Sequence, residues 1–542
     1  MNNAVYRFSE PINEPILGYL PESEERKKLE KELEKQSSEQ IEIPLIIGGK
    51  EIRTGKIGKV VMPHNHSHVL ATYHMATENE VKLAIDEALK AKENWMNLSW
   101  IDRASIMNKA AELISKKYRF VINAATMLGQ NKNVFQAEID AACEVIDYLR
   151  FNSYYASEIY KEQPSSNFDN INRLEYRPLE GFIYTISPFN FTAIASNLNA
   201  SVAVMGNTTV WKPATTSLLS SYYIMKVFME AGLPNGVINF VPGSGSLISN
   251  IVLNHKELAG IHFTGSTETF NTLWETTSKN IRNYISYPKL VGETGGKDFI
   301  FAHNSANPLE LATAIVRGGF EYQGQKCSAA SRTYIPKSIW DETKKIILKM
   351  VSEIKVGDVR DYNNFVNAVI DENSFDNIMS YIEKAKNAPD AEILIGGKGN
   401  KSKGYFVMPT VILTTNPHFV TMEEEIFGPV MTIYVYEDSE FENTLKICDK
   451  TSPYALTGSI FANDKYAMIQ ACKILRYSAG NFYINDKPSG AMIGEQPFGG
   501  ARGSGTNDKA GSHLNLLRWT SPRTIKETLI PATDFRYAYM DK

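Results

Sequence analysis

The sequence predicts an α/β protein of two lobes, of which the first contains a doubly wound parallel sheet. Strand and helix patterns alternate from residue 181 onward, and this alternation is typical of parallel βαβ units. The second half, from about 295 to 505, repeats the alternation with strands of its own. The 542 residues include 43% hydrophobic and 22% charged residues, an ordinary composition for a folded protein with large cores. Together these observations exclude a disordered chain and a coiled coil.

A charged helix is predicted first, over residues 21–36, with Leu29 and Leu33 on one face. The first lobe then alternates strands and helices. Its predicted strands are GFIYTIS (181–187), NTTVWKP (207–213), VINFV (237–241) and GIHFT (260–264). Its predicted helices lie at about 217–231, 246–255 and 267–279. Because parallel sheets bind ligands beyond the carboxyl ends of their strands, we expect a ligand site at that edge.

The second lobe is predicted from five further strands: RTYIP, EILIGG, MTIYVY, TGSIFA and NFYIN. A cleft between two such lobes is the usual place for chemistry. The segment near 160–180 and the tail after about 515 fit neither lobe and have extended character. We therefore expect both of these segments to serve association.

Charge and cysteine content limit the partners and the compartment. The 57 basic and 61 acidic residues give a net charge of −4, so no positive field favours nucleic acid or an anionic membrane. No apolar run approaches the ~20 residues that span a bilayer. The four cysteines favour a reducing compartment, and MNNAVYRFSEPINEP lacks the features of a secretory signal or transit peptide. We expect a cytoplasmic protein without membrane or nucleic-acid partners.

Cys327 differs from the other three cysteines in its surroundings. Cys143, Cys448 and Cys472 lie in helical patterns and are predicted to be small core residues. Cys327 follows the glycine-containing GGFEYQGQK, stands beside Lys326 and is placed by the pattern at a possible helix start. A helix N-terminus and a nearby cation both stabilise a thiolate. The pattern alone is equally compatible with a nucleophile and with a packed structural thiol.

Two polar residues follow apolar strands. Glu293, in VGETGGK, is either a general base or a helix cap or surface acid. Asn190, in ISPFNFTAI, is either an oxyanion donor or a turn residue. The segment HFTGSTETF (262–270) closes a strand and opens a helix, where backbone N–H groups are suited to a phosphate, although it lacks a GxGxxG pattern.

The histidines of PHNHSHV show the alternate spacing of a strand. No cysteine or acidic cluster accompanies His64, His66 and His68, so we predict no metal site.

Six motifs occur in the order that is found in the aldehyde dehydrogenase superfamily: SPFNF, VWKP, FTGS, GETGG, GQKC and EEIFGPV. Glu293 and Cys327 are also 34 residues apart, as the base and the nucleophile are in that family. The chain therefore resembles the superfamily over nearly its whole length. Within it, five segments resemble the Δ1-pyrroline-5-carboxylate dehydrogenase branch: AEIDAACEVIDYLRFN, SPFNFTAI, FEYQGQKCSAASR, NFYINDKPSGAMIGEQPFGGARGSGTNDK and LRWTSPRTIKETL.

The resemblance implies an architecture and an activity. A Rossmann-type NAD-binding domain is expected at 1–155 and 181–294, and a catalytic domain at 295–505. Residues 156–180 and 506–542 are expected to form an oligomerisation element of a homo-oligomer, either a dimer or an assembly of dimers. The implied reaction is NAD-dependent oxidation of L-glutamate γ-semialdehyde to L-glutamate, the second step of proline catabolism.

The resemblance also implies site residues. Cys327 is the expected nucleophile, Asn190 with the Cys327 N–H the oxyanion donors, and Glu293 the base that activates water. The residues expected to bind NAD are Ser187, Lys212, Gly265, Ser266, Thr267, Glu268, Thr269, Glu425 and Phe427. Those expected to bind the substrate are Ser328, Gly490, Ala491, Phe191, Phe498 and Glu144. Thr215 stands where many relatives carry an acid that contacts the adenosine ribose, which weakens the expected preference for NAD over NADP.

Three other functions remain open from the residues alone. One is a dehydrogenase for another semialdehyde, because the catalytic set is shared and only Ser328, Gly490 and Ala491 discriminate. Another is a cysteine-dependent acyl hydrolase, which leaves FTGS and EEIFGP without a role. The last is a binding protein on an inherited dehydrogenase fold, against which the presence of both Cys327 and Glu293 argues.

Overall fold

The computed structural model describes residues 6–540 and contains two α/β lobes, each built on a seven-stranded sheet. The first sheet combines five parallel strands with an antiparallel hairpin at one edge. Its strands, in spatial order, are Lys289–Glu293, Leu258–Thr264, Phe182–Ile186, Thr209–Lys212, Ile238–Phe240, Leu45–Ile47 and Lys50–Ile52. The predicted α/β class and the parallel first sheet are confirmed.

Helices cover this sheet and supply its core. They are Glu24–Ser38, Glu78–Asn97, Trp100–Leu113, Arg119–Gln130, Val134–Ala137, Val145–Lys161, Thr192–Val204, Leu218–Ala231, Gly245–Leu253, Thr267–Lys279 and His513–Leu517. Leu29 and Leu33 are buried, which confirms the apolar face predicted for the first helix. Ser23 caps that helix, because its hydroxyl accepts a hydrogen bond from the Arg26 N–H at 3.3 Å.

The second lobe has six parallel strands and one antiparallel edge strand, Ala391–Ile395. The strands, in spatial order, are Ala391–Ile395, Thr410–Thr414, Val430–Tyr436, Ala330–Pro336, Asp298–Ala302, Thr457–Phe461 and Asn481–Ile484. Its helices are Pro308–Phe320, Lys337–Glu353, Glu372–Asn387, Val420–Glu423, Phe441–Lys450 and Lys465–Ile474. All five strands predicted for this lobe are therefore present.

Each core lies between a sheet and its helices. In the first lobe Trp211 is fully buried and meets Phe240 with 5.1 Å between ring centroids. In the second lobe Phe301 stacks on Tyr334 at 5.4 Å. Burying a phenylalanine stabilises the fold by about 1.5–3 kcal/mol, so these contacts hold the strand ends in fixed positions.

Smaller elements complete the chain. Strands Ile41–Ile43, Ile57–Met62 and Asn65–His74 form a three-stranded sheet. Gly399–Asn400 pairs with Phe406–Val407, and Tyr454–Ala455 pairs with Ala501–Arg502. The helical region contains two π-helical segments, Ile114–Tyr118 and Glu138–Glu144. Short 3₁₀ turns lie at Thr215–Ser217, Glu321–Gly324, Asp438–Glu440 and Ala538–Met540.

The segments expected to associate contain a two-stranded antiparallel ribbon of Asn170–Pro178 and Thr520–Thr528. Helix Val145–Lys161 continues across the predicted boundary at 155, and Trp519 is fully buried against His262 of the first lobe. The division into domains stays a prediction, and residues 1–5 and 541–542 of its segments lie outside the described range. Between residues 6 and 540, no helix is long and apolar enough to cross a membrane.

Candidate active site

The carboxyl ends of the parallel strands in the first lobe form one edge of the sheet. Ser187 follows strand Phe182–Ile186, Lys212 ends strand Thr209–Lys212, and Glu293 ends the outermost strand. The strand order reverses between Phe182–Ile186 and Leu258–Thr264. Because ligands of open α/β sheets bind at such a reversal, the edge that carries these residues is the expected ligand site.

Lys212 is suited to bind an anion at this edge. The lysine is half-buried, and burial alone lowers the pKa of its amine. No acidic side chain among residues 6–540 pairs with it. A Cβ added to Gly245 would lie 4.0 Å from Lys212 Nζ, so the N-terminus of helix Gly245–Leu253 lies beside the lysine. An unpaired cation next to a helix N-terminus fits a phosphate group.

Two of the predicted cofactor residues use their hydroxyls to hold the loops of this edge. Ser187 Oγ accepts a hydrogen bond from Trp211 Nε1 at 3.0 Å. Thr267 Oγ1 donates to the Gly503 carbonyl at 3.1 Å and accepts from the Gly295 N–H at 3.2 Å. These hydroxyls therefore shape the site through the backbone that they fix.

The turn from Gly265 to Thr269 opens helix Thr267–Lys279. Ser266 caps the helix by accepting from the Thr269 N–H at 3.2 Å, and the Gly265 N–H donates to the Glu293 carbonyl at 3.1 Å. The Glu268 side chain is exposed. The backbone of this turn, rather than the Glu268 carboxylate, is the part suited to an anion.

Glu425 and Phe427 come from the second lobe. Glu425 Oε1 accepts from the Gly296 N–H at 2.9 Å, and burial raises the pKa of this carboxyl to about 7. Phe427 has a φ of 59°, and its ring meets Phe189 edge-on at 5.8 Å. A left-handed phenylalanine is costly, and such residues cluster at functional sites. The two residues place a carboxyl and an aromatic ring on the second-lobe side of the crevice.

Cys327 lies in a turn just before strand Ala330–Pro336, so the predicted helix start at this position is wrong. The expected cation is also neutralised, because Lys326 Nζ forms an ion pair with Glu321 Oε2 at 3.0 Å. Burial, then the charge of Glu293, raises the pKa of the Cys327 thiol well above its usual value. These surroundings therefore favour the thiol form of Cys327 over a stabilised thiolate.

The other three cysteines lie in helices and differ in how deeply they are buried. Cys143 and Cys448 are buried, as predicted, and burial raises the pKa of the Cys448 thiol to about 12. Cys472 is only half-buried, so the prediction of a core residue is wrong in degree there.

The turn that precedes Cys327 is left-handed over consecutive residues. Tyr322 has a φ of 51° and Gln323 one of 57°, and both side chains are buried. Gln323 Nε2 donates to the carbonyls of Asn131 and Ala368, each at 2.9 Å. These bonds hold a strained backbone in place directly before the nucleophile.

Glu293 has the surroundings of a general base. Its Oε2 atom is buried and has no hydrogen-bond partner within the described chain. Burial raises the pKa of this carboxyl well above its ordinary range, against the opposing effects of the Gly500 N–H and the Lys509 charge. Because the charge of Glu293 also acts on Cys327, the two groups share one low-dielectric site.

Asn190 is tied to the same turn. Its Nδ2 donates to the Gln325 carbonyl at 3.1 Å, two residues before Cys327, and the side chain is buried. One N–H of the amide is used in this bond, and the second remains for a developing oxyanion near the sulfur. The structure thus brings Cys327, Glu293 and Asn190 together, while their roles stay predictions.

The predicted substrate residues include donors that the rest of the described chain leaves without an acceptor. Ser328 is buried, and its hydroxyl makes no hydrogen bond to another described residue. The N–H groups of Gly490 and Ala491 likewise have no acceptor between residues 6 and 540. Phe498 is half-buried and pairs with Ala510 through an isolated antiparallel bridge. Three free donors of this kind are suited to a carboxylate.

Lys132, a buried lysine on the helical side of the site, was not identified as a site residue from the sequence. Lys132 Nζ lies 2.7 Å from Asp140 Oδ2, 3.8 Å from the centre of the Phe191 ring and 4.6 Å from that of Tyr322. Asp140 also accepts the N–H groups that start helix Thr192–Val204. The pair therefore holds both the predicted aromatic wall and the loop that carries Asn190.

Glu144 and Tyr148 follow Asp140 at intervals of four residues and lie on the same helical face. Burial, then the charge of Asp140, raises the pKa of the Glu144 carboxyl to about 8. Burial also raises the pKa of Tyr148, which responds to the charges of Glu144, Glu293 and Cys327 and so lies among them. The spacing of Asp140, Glu144 and Tyr148 on an apolar helix was the signal that could have identified this face.

The fold and the site together are typical of a two-lobed dehydrogenase with a cysteine nucleophile. The chain belongs to the aldehyde dehydrogenase family, whose sequence profile matches residues 52–525. The resemblance noted from the motifs is thereby confirmed.

Relatives and solved structures agree with this family. The chain is 54% identical to the mitochondrial Delta-1-pyrroline-5-carboxylate dehydrogenase of Dictyostelium discoideum over 98% of this chain and 96% of that protein. It is 46% identical to the enzyme of that name from Homo sapiens, over 97% and 94%. The crystal structure of the Delta-pyrroline-5-carboxylate dehydrogenase from Mycobacterium tuberculosis bound with NAD superimposes with a TM-score of 0.97, 48% identity and full coverage of both chains.

Proposed function

We propose that this protein oxidises L-glutamate γ-semialdehyde, which is in equilibrium with Δ1-pyrroline-5-carboxylate, to L-glutamate with NAD, as the second step of proline catabolism. The observation that carries the proposal is a set of free donors: the Ser328 hydroxyl, next to Cys327 in the chain, and the amides of Gly490 and Ala491. The α-carboxylate of the semialdehyde needs such donors. The relatives named above, alike over nearly their full length, support the same substrate.

The residues present fit NAD. Lys212 is an unpaired, half-buried cation beside a helix N-terminus, where a pyrophosphate needs positive charge. Ser187 and the turn from Gly265 to Thr269 line the same edge, and Glu425 and Phe427 face it from the second lobe. When bound, NAD supplies the acceptor for the hydride that leaves the substrate carbon.

The chain's own residues divide the remaining work. The Cys327 thiol gives its proton to solvent, and its Sγ attacks the aldehyde carbon to form a thiohemiacetal. Asn190 Nδ2 and the Cys327 N–H hold the oxyanion. Once the carbon is oxidised, a thioester remains on Cys327. Glu293 then removes a proton from water, which attacks the thioester and releases L-glutamate and the free thiol.

NADH formation from three aldehydes tests the substrate. Purified protein is given glutamate γ-semialdehyde, succinate semialdehyde and propanal, and kcat/KM is measured for each. We expect a preference on the order of tens-fold for the first, because these donors have no partner when the substrate lacks the α-carboxylate. Comparable values would retain the dehydrogenase and remove the substrate. The same assay with NADP in place of NAD tests the effect of Thr215.

We also propose a homo-oligomer, a dimer or an assembly of dimers, joined through the ribbon of Asn170–Pro178 and Thr520–Thr528. Both strands are largely exposed, and Phe168, Phe535 and Tyr539 nearby expose most of their surface. Apolar residues beside unpaired strand edges are typical of an association surface. A stable monomer in static light scattering at working concentration would overturn this proposal.

The location proposed for the protein is the cytoplasm. Its four cysteines are free, as expected in a reducing compartment. Several relatives are named as mitochondrial enzymes. Cell fractionation therefore decides between the two, and recovery of the activity in washed mitochondria would replace the cytoplasmic proposal.

A further inference from the structure

The N-terminal strap, residues 6–20, has no helix or strand but is bound firmly to the first lobe. The Glu14 carboxylate accepts from Arg119 Nη1, Arg150 Nη1 and Ser115 Oγ, each at 2.7 Å. Charge-assisted bonds of this length are among the strong ones. The strap is therefore a fixed part of the molecule around Glu14.

Asn13, the preceding residue, joins two elements of the site. Its Nδ2 donates to Asp147 Oδ2 at 2.9 Å and to the Ile493 carbonyl at 2.8 Å. The Glu14 N–H donates to the other oxygen of Asp147 at 2.8 Å. Asp147 lies on helix Val145–Lys161, which directly follows Glu144, and Ile493 lies in the loop that carries Gly490 and Ala491.

Apart from the packing of the buried Ile493 side chain, that loop has few other attachments. Apart from bonds to its immediate chain neighbours, two hydrogen bonds reach residues 488–495 from elsewhere in the described chain. One comes from Asn13, and the other from the Tyr483 hydroxyl to the Gly490 carbonyl at 2.8 Å. Gly490 has a φ of 92°, so its amide direction depends on the loop's exact path. Without Asn13, the buried Ile493 would keep a carbonyl with no partner.

We propose that Asn13 is a positioning residue for substrate binding, which holds the amides of Gly490 and Ala491 at a fixed distance from the helix that follows Glu144. The inference rests on the proposed function, because it assigns those amides to the substrate's α-carboxylate. Asn13 itself does not touch the substrate. Its loss weakens recognition of the carboxylate and leaves the chemistry at Cys327 in place.

The test compares Asn13→Ala and Asn13→Asp with the wild type on two aldehydes. For glutamate γ-semialdehyde we expect KM to rise by about three- to tenfold with kcat little changed, because a typical net hydrogen bond of ~1 kcal/mol corresponds to about fivefold. For propanal, which lacks the carboxylate, KM stays the same. The inhibition constant of L-glutamate, which keeps the carboxylate, rises by the same factor as the first KM.

Two controls separate the possible outcomes. Ile12→Ala changes the neighbouring exposed side chain and is expected to leave all constants unchanged. Asn13→Asp loses the donor for the Ile493 carbonyl and also sets a second carboxylate against Asp147, so its effect on KM should be at least as large as that of Asn13→Ala. Equal increases of both aldehyde KM values, or no change in either, would overturn the positioning role. A wild type without activity on glutamate γ-semialdehyde would instead overturn the proposed function.

Discussion

Removing Lys132 is expected to destabilise the protein strongly, because its partner would remain as an isolated buried charge. Lys132 and Asp140 are both fully buried and lie 2.7 Å apart. Losing one partner of such a pair costs about 3–5 kcal/mol. Lys132→Met keeps the length of the side chain and removes its charge. We expect a loss of that size in the free energy of unfolding, measured by urea denaturation followed by tryptophan fluorescence.

A double-mutant cycle isolates the pair. Asp140→Asn alone leaves a buried, unpaired Lys132 and should cost a similar amount. In the double variant neither charge of the pair remains, and the introduced asparagine oxygen can still accept one of the two N–H groups, of Thr192 and Ala193, that the two Asp140 oxygens accept in the wild type. We therefore expect the double loss to be smaller than the sum of the single losses by at least about 2 kcal/mol.

The refuting result is additivity. If the double variant loses the full sum, the two side chains do not act as a pair. The single variants should also lower kcat/KM, since Lys132 holds the Phe191 ring and Asp140 holds the start of the helix after Asn190.

Three further predictions concern the catalytic and cofactor residues. Glu293→Gln should spare the first burst of NADH and slow steady-state turnover by at least about 100-fold, because the Glu293 carboxylate is needed only for thioester hydrolysis. Equal losses in burst and steady state would contradict this role. Burial raises the pKa values of both Glu293 and Cys327, and the reaction requires that a proton leave this pair. We therefore expect kcat/KM to rise with pH and to be lost as pH falls through the lower of the two apparent pKa values. A flat profile on the acid side would contradict this expectation. Lys212→Ala should raise KM for NAD by about tenfold with the aldehyde KM unchanged, since it removes a charge-assisted contact; an unchanged KM for NAD would remove Lys212 from the cofactor site.

Much of the fold was accessible from local sequence patterns. Strands such as GFIYTIS and GIHFT are continuous apolar runs bounded by glycine, serine or proline, which is how fully buried parallel strands appear. The edge hairpin Leu45–Ile52 was not predicted. Its pairing with Ile238–Phe240 is antiparallel and depends on a contact nearly two hundred residues along the chain.

The site was less accessible, because its electrostatics depend on distant partners. The sequence placed Lys326 beside Cys327, but the lysine pairs with Glu321 and contributes little to the thiol. Lys132 has no local pattern that separates a buried lysine from a surface one. Asn13 reaches a carbonyl 480 positions away, and no periodicity encodes such a bond. Motif order indicated the candidate residues, while the shifts of their pKa values depend on the folded surroundings.

The most direct test of the account is to trap the bond that Cys327 is expected to form. Glu293→Gln protein is mixed with NAD and glutamate γ-semialdehyde, quenched in acid, digested and analysed by mass spectrometry. We expect a glutamyl thioester on the peptide that contains Cys327, and we expect the peptides of Cys143, Cys448 and Cys472 to be unmodified. An adduct on one of those three, or none while NADH is formed, would contradict the assignment of Cys327 as the nucleophile.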